Sequence, residues 1–215
     1  MQRALFVTGA VALTVIVIAS RRSSTANAEP AVTDDRRGPF FSLSDTRTLR
    51  AQLTSTQGEL SLVKAQYERA DRIIQYSTHY GINAGLAAKV FDASLREGVD
   101  PELGFRLVRL ESEFNPRAVS KVGALGLTQL MPSTAKLYDA TVTREKLFEP
   151  EVNLRVGFKY LRTLLDMYKG NVRYALLAYN RGEDAVWRDI RAGVNPGNGY
   201  DSSVMRGYKG KGRID

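Results

Sequence analysis

Apolar residues along most of this chain recur with the period of an α-helix. From about Gly81 onward helical patterns follow one another at short intervals, and no segment shows the alternation of a half-buried strand. Asp100 and Pro101 form a helix start, and Asn171 caps a later helix that ends at Gly182. Between them a helix beginning at Pro150 carries one apolar stripe of Leu154, Gly157, Leu161, Leu164 and Tyr168. We therefore predict a mainly α fold with at most a small β-hairpin.

A longer helix is predicted over residues 43–80. Its apolar positions alternate at spacings of four and three, which is the pattern of a heptad seam. The seam consists of Leu49, Leu53, Thr56, Leu60, Val63, Tyr67, Ala70 and Ile74. This pattern fits a coiled coil, and it fits equally a long helix packed on the domain that follows.

The first 28 residues have the layout of a secretory signal. Met1-Gln2-Arg3 is a basic start, Ala4 to Ala19 is uncharged and mostly apolar, and Ala26-Asn27-Ala28 offers a cleavage site. The alternative is an uncleaved anchor, although an apolar run of this length rises only ~24 Å as a helix, less than the ~30 Å hydrocarbon core of a bilayer. Either reading predicts an exported, periplasmic or envelope-associated protein, which touches the membrane only through this segment and only if it stays uncleaved.

These patterns divide the chain into five segments. After the signal or anchor (1–28), residues 29–42 contain Pro, Gly and mixed charges without a period and are predicted to form a linker. The long helix (43–80) precedes a globular domain at 81–205. The tail at 206–215 is basic and Gly-rich, and we expect it to be disordered.

Composition narrows the available chemistry. The chain has no cysteine, and His79 is its one histidine. Disulfides, thiolate nucleophiles, sulfur-based zinc sites and sites with several histidines are therefore excluded. Catalysis has to come from carboxylates, hydroxyls, amides, Lys or Arg, and we predict neither a metal nor a cofactor.

The charge balance indicates an anionic partner. Lys and Arg number 31 against 23 Asp and Glu, a net charge of +8, and residues 101–215 hold 19 of the basic and 13 of the acidic side chains. Nucleic acid, a membrane surface or a cell-wall polymer would suit this charge. Because the basic residues are dispersed along helices, and because the chain is predicted to be exported, nucleic acid is the poorest of these candidates.

Glu111 stands out as a candidate catalytic residue. The helix that starts after Asp100 is predicted to end at Asn115-Pro116, and its apolar stripe consists of Leu103, Leu107, Leu110 and Phe114. Glu111 falls at the edge of this stripe in the last turn, where desolvation and the helix dipole both raise a carboxyl pKa, as a general acid requires. Glu113 points away, toward Arg106 and Arg109, and is expected to be a solvated charge. A structural alternative for Glu111 is a buried carboxylate tied to an Arg or a backbone donor.

The segment after this helix is rich in small residues. Gly123 and Gly126 permit tight turns and close approach of a ligand, and Gln129 adds an amide, but the phosphate-binding loop pattern is missing. Farther along, Asn153 is predicted to be a satisfied buried amide and Tyr179 a core aromatic whose hydroxyl finds a partner.

An ordered series of motifs resembles the lytic transglycosylase family, which is related to the soluble lytic transglycosylases and goose-type lysozymes. The resemblance runs from about Gly98 to Val204, roughly half of the chain, and its motifs are specific as a series rather than singly. The series is Glu111-Ser112, Asn115-Pro116, Ser120, Gly123-Ala124-x-Gly126-Leu127-x-Gln129-x-Met131-Pro132, Asn153 with Gly157, and Ala178-Tyr179-Asn180-x-Gly182.

The resemblance implies a lysozyme-like catalytic domain that acts on peptidoglycan glycan strands. It implies that Glu111 is the catalytic acid and that the N-acetylmuramic acid to N-acetylglucosamine bond is cleaved without water, giving 1,6-anhydromuramoyl products in cell-wall remodelling. The substrate-binding residues it implies are Ser120, Gln129, Met131, Tyr179 and Asn180.

The chain departs from the usual pattern at two positions. Thr128 stands where Met is common, and Arg181 stands where Ala is common, so the shape of the cleft is expected to differ and Arg181 is expected to add an anion contact. Two other functions stay open: a hydrolase of the goose-lysozyme type, and a wall-binding or assembly module that docks a protein partner through the 43–80 helix.

Overall fold

The computed structural model describes residues 43–214, and within them it contains eight α-helices and no β-strand. The helices are α1 (Leu43–Tyr80), α2 (Ala84–Arg96), α3 (Pro101–Ser112), α4 (Pro132–Tyr138), α5 (Pro150–Met167), α6 (Val172–Arg181), α7 (Glu183–Arg191) and α8 (Tyr200–Met205). A short 3-10 helix, Lys146–Phe148, precedes α5. The predicted mainly α class with a long N-terminal helix is confirmed. The predicted signal or anchor (1–28) and linker (29–42) lie outside the described residues.

Helix α5 is the central element of the core. Its predicted stripe is buried along its whole length, and further buried residues on its other faces include Val156, Phe158 and Leu165. A helix that buries more than one face needs neighbours on several sides, and α5 packs against α2, α4 and α6. Within the described chain, none of the helices is long and apolar enough to span a bilayer.

The predicted helix starts are confirmed by their capping contacts. The Asp100 carboxylate accepts a hydrogen bond from the Glu102 N–H at 2.9 Å, with Pro101 in the first turn of α3. The Asn171 side chain accepts from the Tyr174 N–H at 3.1 Å at the start of α6. These caps satisfy N–H groups that a helix start leaves without intrahelical partners.

The C-terminal part of α1 packs on the globular domain, but it does so through a different face from the predicted seam. Tyr76 stacks on Phe105 of α3 with ring centroids 4.1 Å apart, and Tyr80 stacks on the same ring at 5.4 Å. Ile73 is buried beside them, and the Arg69 guanidinium pairs with the carboxylate of Asp92 on α2. The helix therefore packs on the following domain, whereas the seam stays exposed.

The prediction of a disordered tail is wrong for residues 206–214. The Tyr208 ring is buried, and its hydroxyl donates to the Asp100 carboxylate at 2.6 Å while accepting from the Gly212 N–H at 2.8 Å. The Ile214 N–H donates to the Gly98 carbonyl at 3.0 Å. Composition predicts disorder for a Gly-rich basic segment, but one buried aromatic ring and these hydrogen bonds hold the segment against the start of α3.

Hydrogen bonds of the Asn153 side chain connect the loop between α3 and α4 to helix α5. Its Oδ1 accepts from the Thr128 N–H and the Thr128 hydroxyl, each at 2.8 Å, and its Nδ2 donates to the Leu125 and Leu147 carbonyls, each at 2.9 Å. The prediction of a satisfied buried amide is confirmed. The loop also contains two isolated antiparallel β-bridges, Val119 with Leu125 and Leu125 with Leu130.

Candidate active site

Glu111 lies in the middle of the buried face of α3, not at its edge. The buried residues of this helix include Gly104, Leu107 and Val108, which surround the direction in which Glu111 projects, whereas Leu110 is 43% exposed. The placement of Leu110 on the buried stripe is therefore wrong. The reason is that α3 packs against both α2 and α8, so the buried arc is wider than one stripe and is centred elsewhere.

Burial raises the pKa of Glu111 to about 7, although the hydrogen bond from Tyr200 acts in the opposite direction. The Tyr200 hydroxyl, on the first residue of α8, donates to the Glu111 Oε1. Burial also raises the pKa of Tyr200 well above its ordinary value, so the phenol keeps its proton while the carboxyl titrates. The site thus holds a carboxyl group that exchanges a proton near neutral pH beside a permanent hydrogen-bond donor.

A second tyrosine lies close enough to Glu111 to interact with its charge. Burial, followed by the charge of Glu111, raises the pKa of Tyr179 well above its ordinary value. The Tyr179 hydroxyl donates to the Thr128 carbonyl at 2.9 Å, and the Ser112 hydroxyl donates to the Leu127 carbonyl at 2.8 Å. The loop after Gly126 is thereby bonded both to the end of α3 and to α6.

The end of α3 has an unusual backbone. Glu113 and Phe114 have φ values of +49° and +63°, in the left-handed region that non-glycine residues rarely adopt. The helix consequently stops at Ser112, before the predicted stop at Asn115-Pro116. The reversal buries Phe114 against Phe105 and leaves Glu113 exposed, as predicted for a solvated charge.

Among the other predicted site residues, Ser120 and Gln129 support the loop itself. The Ser120 Oγ accepts from the Ala124 N–H at 2.9 Å. The Gln129 Nε2 donates to the Ala118 carbonyl at 3.2 Å and to the Gly126 carbonyl at 2.9 Å. The amide nitrogen of Gln129 is thus occupied within the loop, and its carbonyl oxygen is the group that can meet a ligand.

The last two predicted residues lie at the surface. Met131 is 37% exposed at the start of α4, and Asn180 is exposed near the end of α6, where its Oδ1 accepts from the Asn198 Nδ2 at 2.9 Å. Neither side chain forms a hydrogen bond with Glu111 in the described part of the chain. Of the residues predicted for the site, the structure thus brings Tyr179 into direct electrostatic interaction with Glu111.

A groove of about 830 Å³ also borders α3, but on the face away from Glu111. Its lining includes Arg106, Arg109 and Leu110 from α3, Glu113 directly after α3, and Arg206 from the tail. Around the axis of α3, Arg106 and Arg109 project about 140° and 160° away from Glu111, and Leu110 about 100° away, given 100° per residue. The groove is therefore separate from the Glu111 carboxyl. Among residues 43–214, no three His, Asp or Glu side chains are grouped closely enough to hold a metal ion.

Comparison with known proteins places the chain in a family. The family model for the transglycosylase SLT domain matches residues 89–198, which is half of the chain. The chain belongs to this family. The matched region of the SLT domain contains Glu111, the loop to Pro132, Asn153 and Tyr179. The resemblance to lytic transglycosylases drawn from the sequence is confirmed.

Individual curated relatives are also similar to this chain. The chain is 37% identical over 138 residues to the membrane-bound lytic murein transglycosylase C of Edwardsiella ictaluri, a match that covers 53% of this chain and 38% of that protein. It is 46% identical over 96 residues to a transglycosylase of Enterobacteria phage PRD1, covering 44% of this chain and 34% of the relative. The matched regions thus span about a third of the length of these curated relatives.

Two solved structures are also similar to this chain. An inactive mutant of the lytic transglycosylase Slt from Pseudomonas aeruginosa matches with 30% identity and a TM-score of 0.48, over 54% of this chain and 22% of that one. The 70 kDa soluble lytic transglycosylase of Escherichia coli matches with 25% identity and a TM-score of 0.48, over 66% of this chain and 28% of that one.

The two departures from the usual SLT pattern have structural explanations. The Thr128 side chain is fully buried, and it occupies the space that Gly157 leaves open, because a Cβ on Gly157 would collide with the Thr128 Oγ1. Arg181 pairs with Asp189 at 2.8 Å and donates to the Pro196 carbonyl at 2.5 Å. Its guanidinium thus connects the end of α6 to α7 and to the segment after α7, and the anion contact expected of Arg181 stays a prediction.

Sequence reasoning missed Tyr200. The residue begins a helix of six residues that is too short to show a period, and it lies 89 positions from Glu111 along the chain. The available signal is local: Gly199 has a φ of +88°, and the Asn198 side chain caps the Tyr200 N–H at 3.1 Å. This signal predicts a turn and a helix start, but it does not predict which residue the tyrosine contacts.

Proposed function

We propose that this SLT domain is a peptidoglycan lytic transglycosylase that cleaves the β-1,4 bond between N-acetylmuramic acid and N-acetylglucosamine and forms 1,6-anhydromuramoyl ends. The observation that carries the proposal is Glu111: a half-buried carboxyl with a pKa of about 7, bonded to Tyr200, at the end of a helix in a chain of this family. The relatives' names, which include a lytic murein transglycosylase, support the same substrate class.

One carboxyl group is sufficient for this reaction. Protonated Glu111 gives its proton to the glycosidic oxygen, and the bond from that oxygen to the muramoyl C1 breaks. The carbonyl oxygen of the muramoyl 2-acetamido group stabilises the electron-poor C1. Glu111, now a carboxylate, takes the proton of the 6-hydroxyl of the same sugar as that oxygen bonds to C1. The anhydro ring closes, the acetamido oxygen is released, and Glu111 is protonated again without a net gain of water.

Ring closure competes with attack by water, and proximity favours ring closure. The 6-hydroxyl belongs to the same sugar, so its reaction is intramolecular and has a high effective molarity. The ordinary glycosidase mechanism uses a second carboxylate to activate water or to act as a nucleophile. The phenols of Tyr179 and Tyr200 lie near Glu111. Both phenols stay protonated, so neither takes the place of that second carboxylate.

The remaining side chains orient the substrate and the acid. Tyr200 fixes the rotamer of Glu111 and stabilises its carboxylate between the two proton transfers. The Gln129 carbonyl oxygen is suited to accept from the acetamido N–H, since its own amide nitrogen is held by the loop. The excess of basic residues in the C-terminal half suits a polymer that carries muramoyl-peptide carboxylates. We place the enzyme in the cell envelope, where this polymer is found.

Digestion of purified sacculi tests the proposed reaction. We expect soluble muropeptides whose muramoyl ends have lost one water relative to the reducing sugar, as measured by mass spectrometry. Reducing muramoyl ends would instead indicate a hydrolase of the goose-lysozyme type. The absence of any released product would overturn the enzymatic proposal.

Tyr200→Phe is expected to lower activity and to move its pH dependence. The hydrogen bond from Tyr200 lowers the pKa of Glu111, so its removal raises that pKa. Because the acid step needs protonated Glu111, activity falls as pH rises through this pKa, and the fall should occur at a higher pH in the variant. A hydrogen bond to a charged group contributes about 1.5–3 kcal/mol, so the optimum rate should fall roughly tenfold or more.

The measurement is the rate of sacculus solubilisation between pH 5 and pH 9. Tyr160→Phe is the matched control, because the Tyr160 hydroxyl bonds to Glu183 at 3.3 Å and not to Glu111. A Tyr200→Phe profile that coincides with that of the control would contradict the role assigned to Tyr200.

A further inference from the structure

From Leu53 onward, every residue of the seam predicted on α1 is exposed to solvent. We call this part the α1 seam: Leu53, Thr56, Leu60, Val63, Tyr67, Ala70 and Ile74. From Leu53 onward, the large exposed apolar residues of α1 all belong to the seam except Leu62. Such a concentration of apolar side chains in one line on a water-facing helix marks an interaction surface.

The globular domain does not cover this surface. It contacts α1 through Arg69, Ile73, Tyr76 and Tyr80. If the seam residues occupy heptad positions a and d, these four residues occupy positions c and g, on a face about 110° away around the helix axis. A second helix can therefore lie along the seam while the domain keeps its own contacts.

We propose that the α1 seam pairs with the α1 seam of a second copy of this chain, forming a parallel, in-register, two-stranded coiled coil over residues 53–74. The alternation of four and three spacings is the pattern of such a helix pair, with Leu53, Leu60, Tyr67 and Ile74 at the a positions. Gly58 falls at position f, on the outside, where it does not interrupt the contact between the helices.

One pair of opposite charges and one amide–carboxylate pair flank the seam when it meets a second copy. In a parallel pair, each g residue meets the following e residue of the partner helix. This brings Glu59 to a lysine at position 64 of the other copy, and Gln66 to an aspartate at position 71. No like charges meet at these positions, so a second copy fits the flanks as well as the apolar stripe. This inference does not depend on the proposed catalytic activity.

Pairing of two α1 seams would join two catalytic domains through their α1 helices. Two domains that bind one polymer network hold it with greater avidity than one domain, since the second contact becomes intramolecular. The seam contains two small residues, Thr56 and Ala70, so we expect a pair that forms reversibly and depends on protein concentration.

Site-directed disulfide crosslinking of the full chain tests the pairing, since the natural sequence contains no cysteine. Thr56→Cys and Ala70→Cys introduce single thiols at two d positions, ~21 Å apart along the helix. A disulfide needs Cα atoms within about 7 Å, so only residues that face each other become linked. Leu62→Cys is the matched control, an exposed position of the same helix outside the seam.

After mild oxidation and non-reducing electrophoresis, we expect both Thr56→Cys and Ala70→Cys to yield covalent dimers as the main product, with several-fold less from Leu62→Cys. Adding Leu60→Glu should abolish the dimer of Thr56→Cys, whereas adding Leu62→Glu should not.

Three outcomes would overturn the proposal. If all three cysteine variants crosslink equally, the contact is non-specific. If neither seam variant crosslinks, the second copy does not occupy the seam. If the thiols at positions 56 and 70 become linked only when the two variants are mixed, the helices pair in the antiparallel direction.

Discussion

Glu111→Gln is expected to reduce sacculus digestion by about 10²-fold or more. General acid–base catalysis contributes on this scale, and glutamine keeps the shape of the side chain while it removes the transferable proton. The amide oxygen can still accept the hydrogen bond from Tyr200, so the surrounding packing should persist. The measurement is the initial rate of muropeptide release by the purified variant relative to the natural chain.

Glu113→Gln is the matched control for this experiment. It makes the same chemical change two residues along the chain, where the side chain is exposed and points away from the core. Its rate should remain near that of the natural chain. Anhydromuramoyl products that persist at the natural rate in Glu111→Gln would rule out Glu111 as the acid.

The sequence carried enough information to select Glu111 but not to describe its surroundings. The caps at Asp100 and Asn171 and the stripe of α5 follow from local chemistry, so their predictions were accurate. The burial of Glu111 was predicted from one stripe, yet its extent depends on α2 and α8 covering α3 from two sides. Helical periodicity reports that a face is apolar, but not how many neighbouring elements cover it.

Contacts between distant segments were the least predictable part. Tyr200 reaches Glu111 from a six-residue helix, and Tyr208 reaches Asp100 from a segment whose composition predicts disorder. In each case the position of the segment depends on the contacts of one tyrosine, and a single residue does not produce a periodic pattern in the sequence. The seam of α1 is the converse case: its pattern was evident from the sequence, and the domain proved to use another face of the helix.

Glu111→Gln is also expected to stabilise the protein, by an amount that grows with pH. The pKa of Glu111 is raised in the folded state, to about 7 from an ordinary value of 4.5. Below pH 4.5 both the folded and the unfolded states hold the proton, so there is no penalty. Between pH 4.5 and pH 7 the folded state retains a proton that the unfolded state releases, so the natural chain loses stability as pH rises.

This difference in pKa corresponds to about 3 kcal/mol, reached above pH 7, because each pKa unit is equivalent to 1.36 kcal/mol. Glutamine carries no charge at any of these pH values and escapes the penalty. The free energy of unfolding of Glu111→Gln minus that of the natural chain should therefore be small at pH 4.5 and should increase to about 3 kcal/mol by pH 8. Urea denaturation at pH 4.5, 6, 7 and 8 measures this difference, and the contributions of all other titrating groups cancel in the subtraction.

The exposed Glu113 again provides the control, since its replacement by glutamine makes the same chemical change on a side chain that faces solvent and should give only a small difference. If Glu111→Gln behaves in the same way, burial does not hold a proton on Glu111, and the carboxyl is ionised in the resting enzyme at neutral pH. The acid step would then lack its proton donor, so the stability measurement tests the chemistry of the site without any substrate present. An increase in the difference between pH 4.5 and pH 8 would instead mean that the folded protein keeps the Glu111 carboxyl protonated near neutral pH. The natural chain would then have a lower free energy of unfolding than the glutamine variant at that pH.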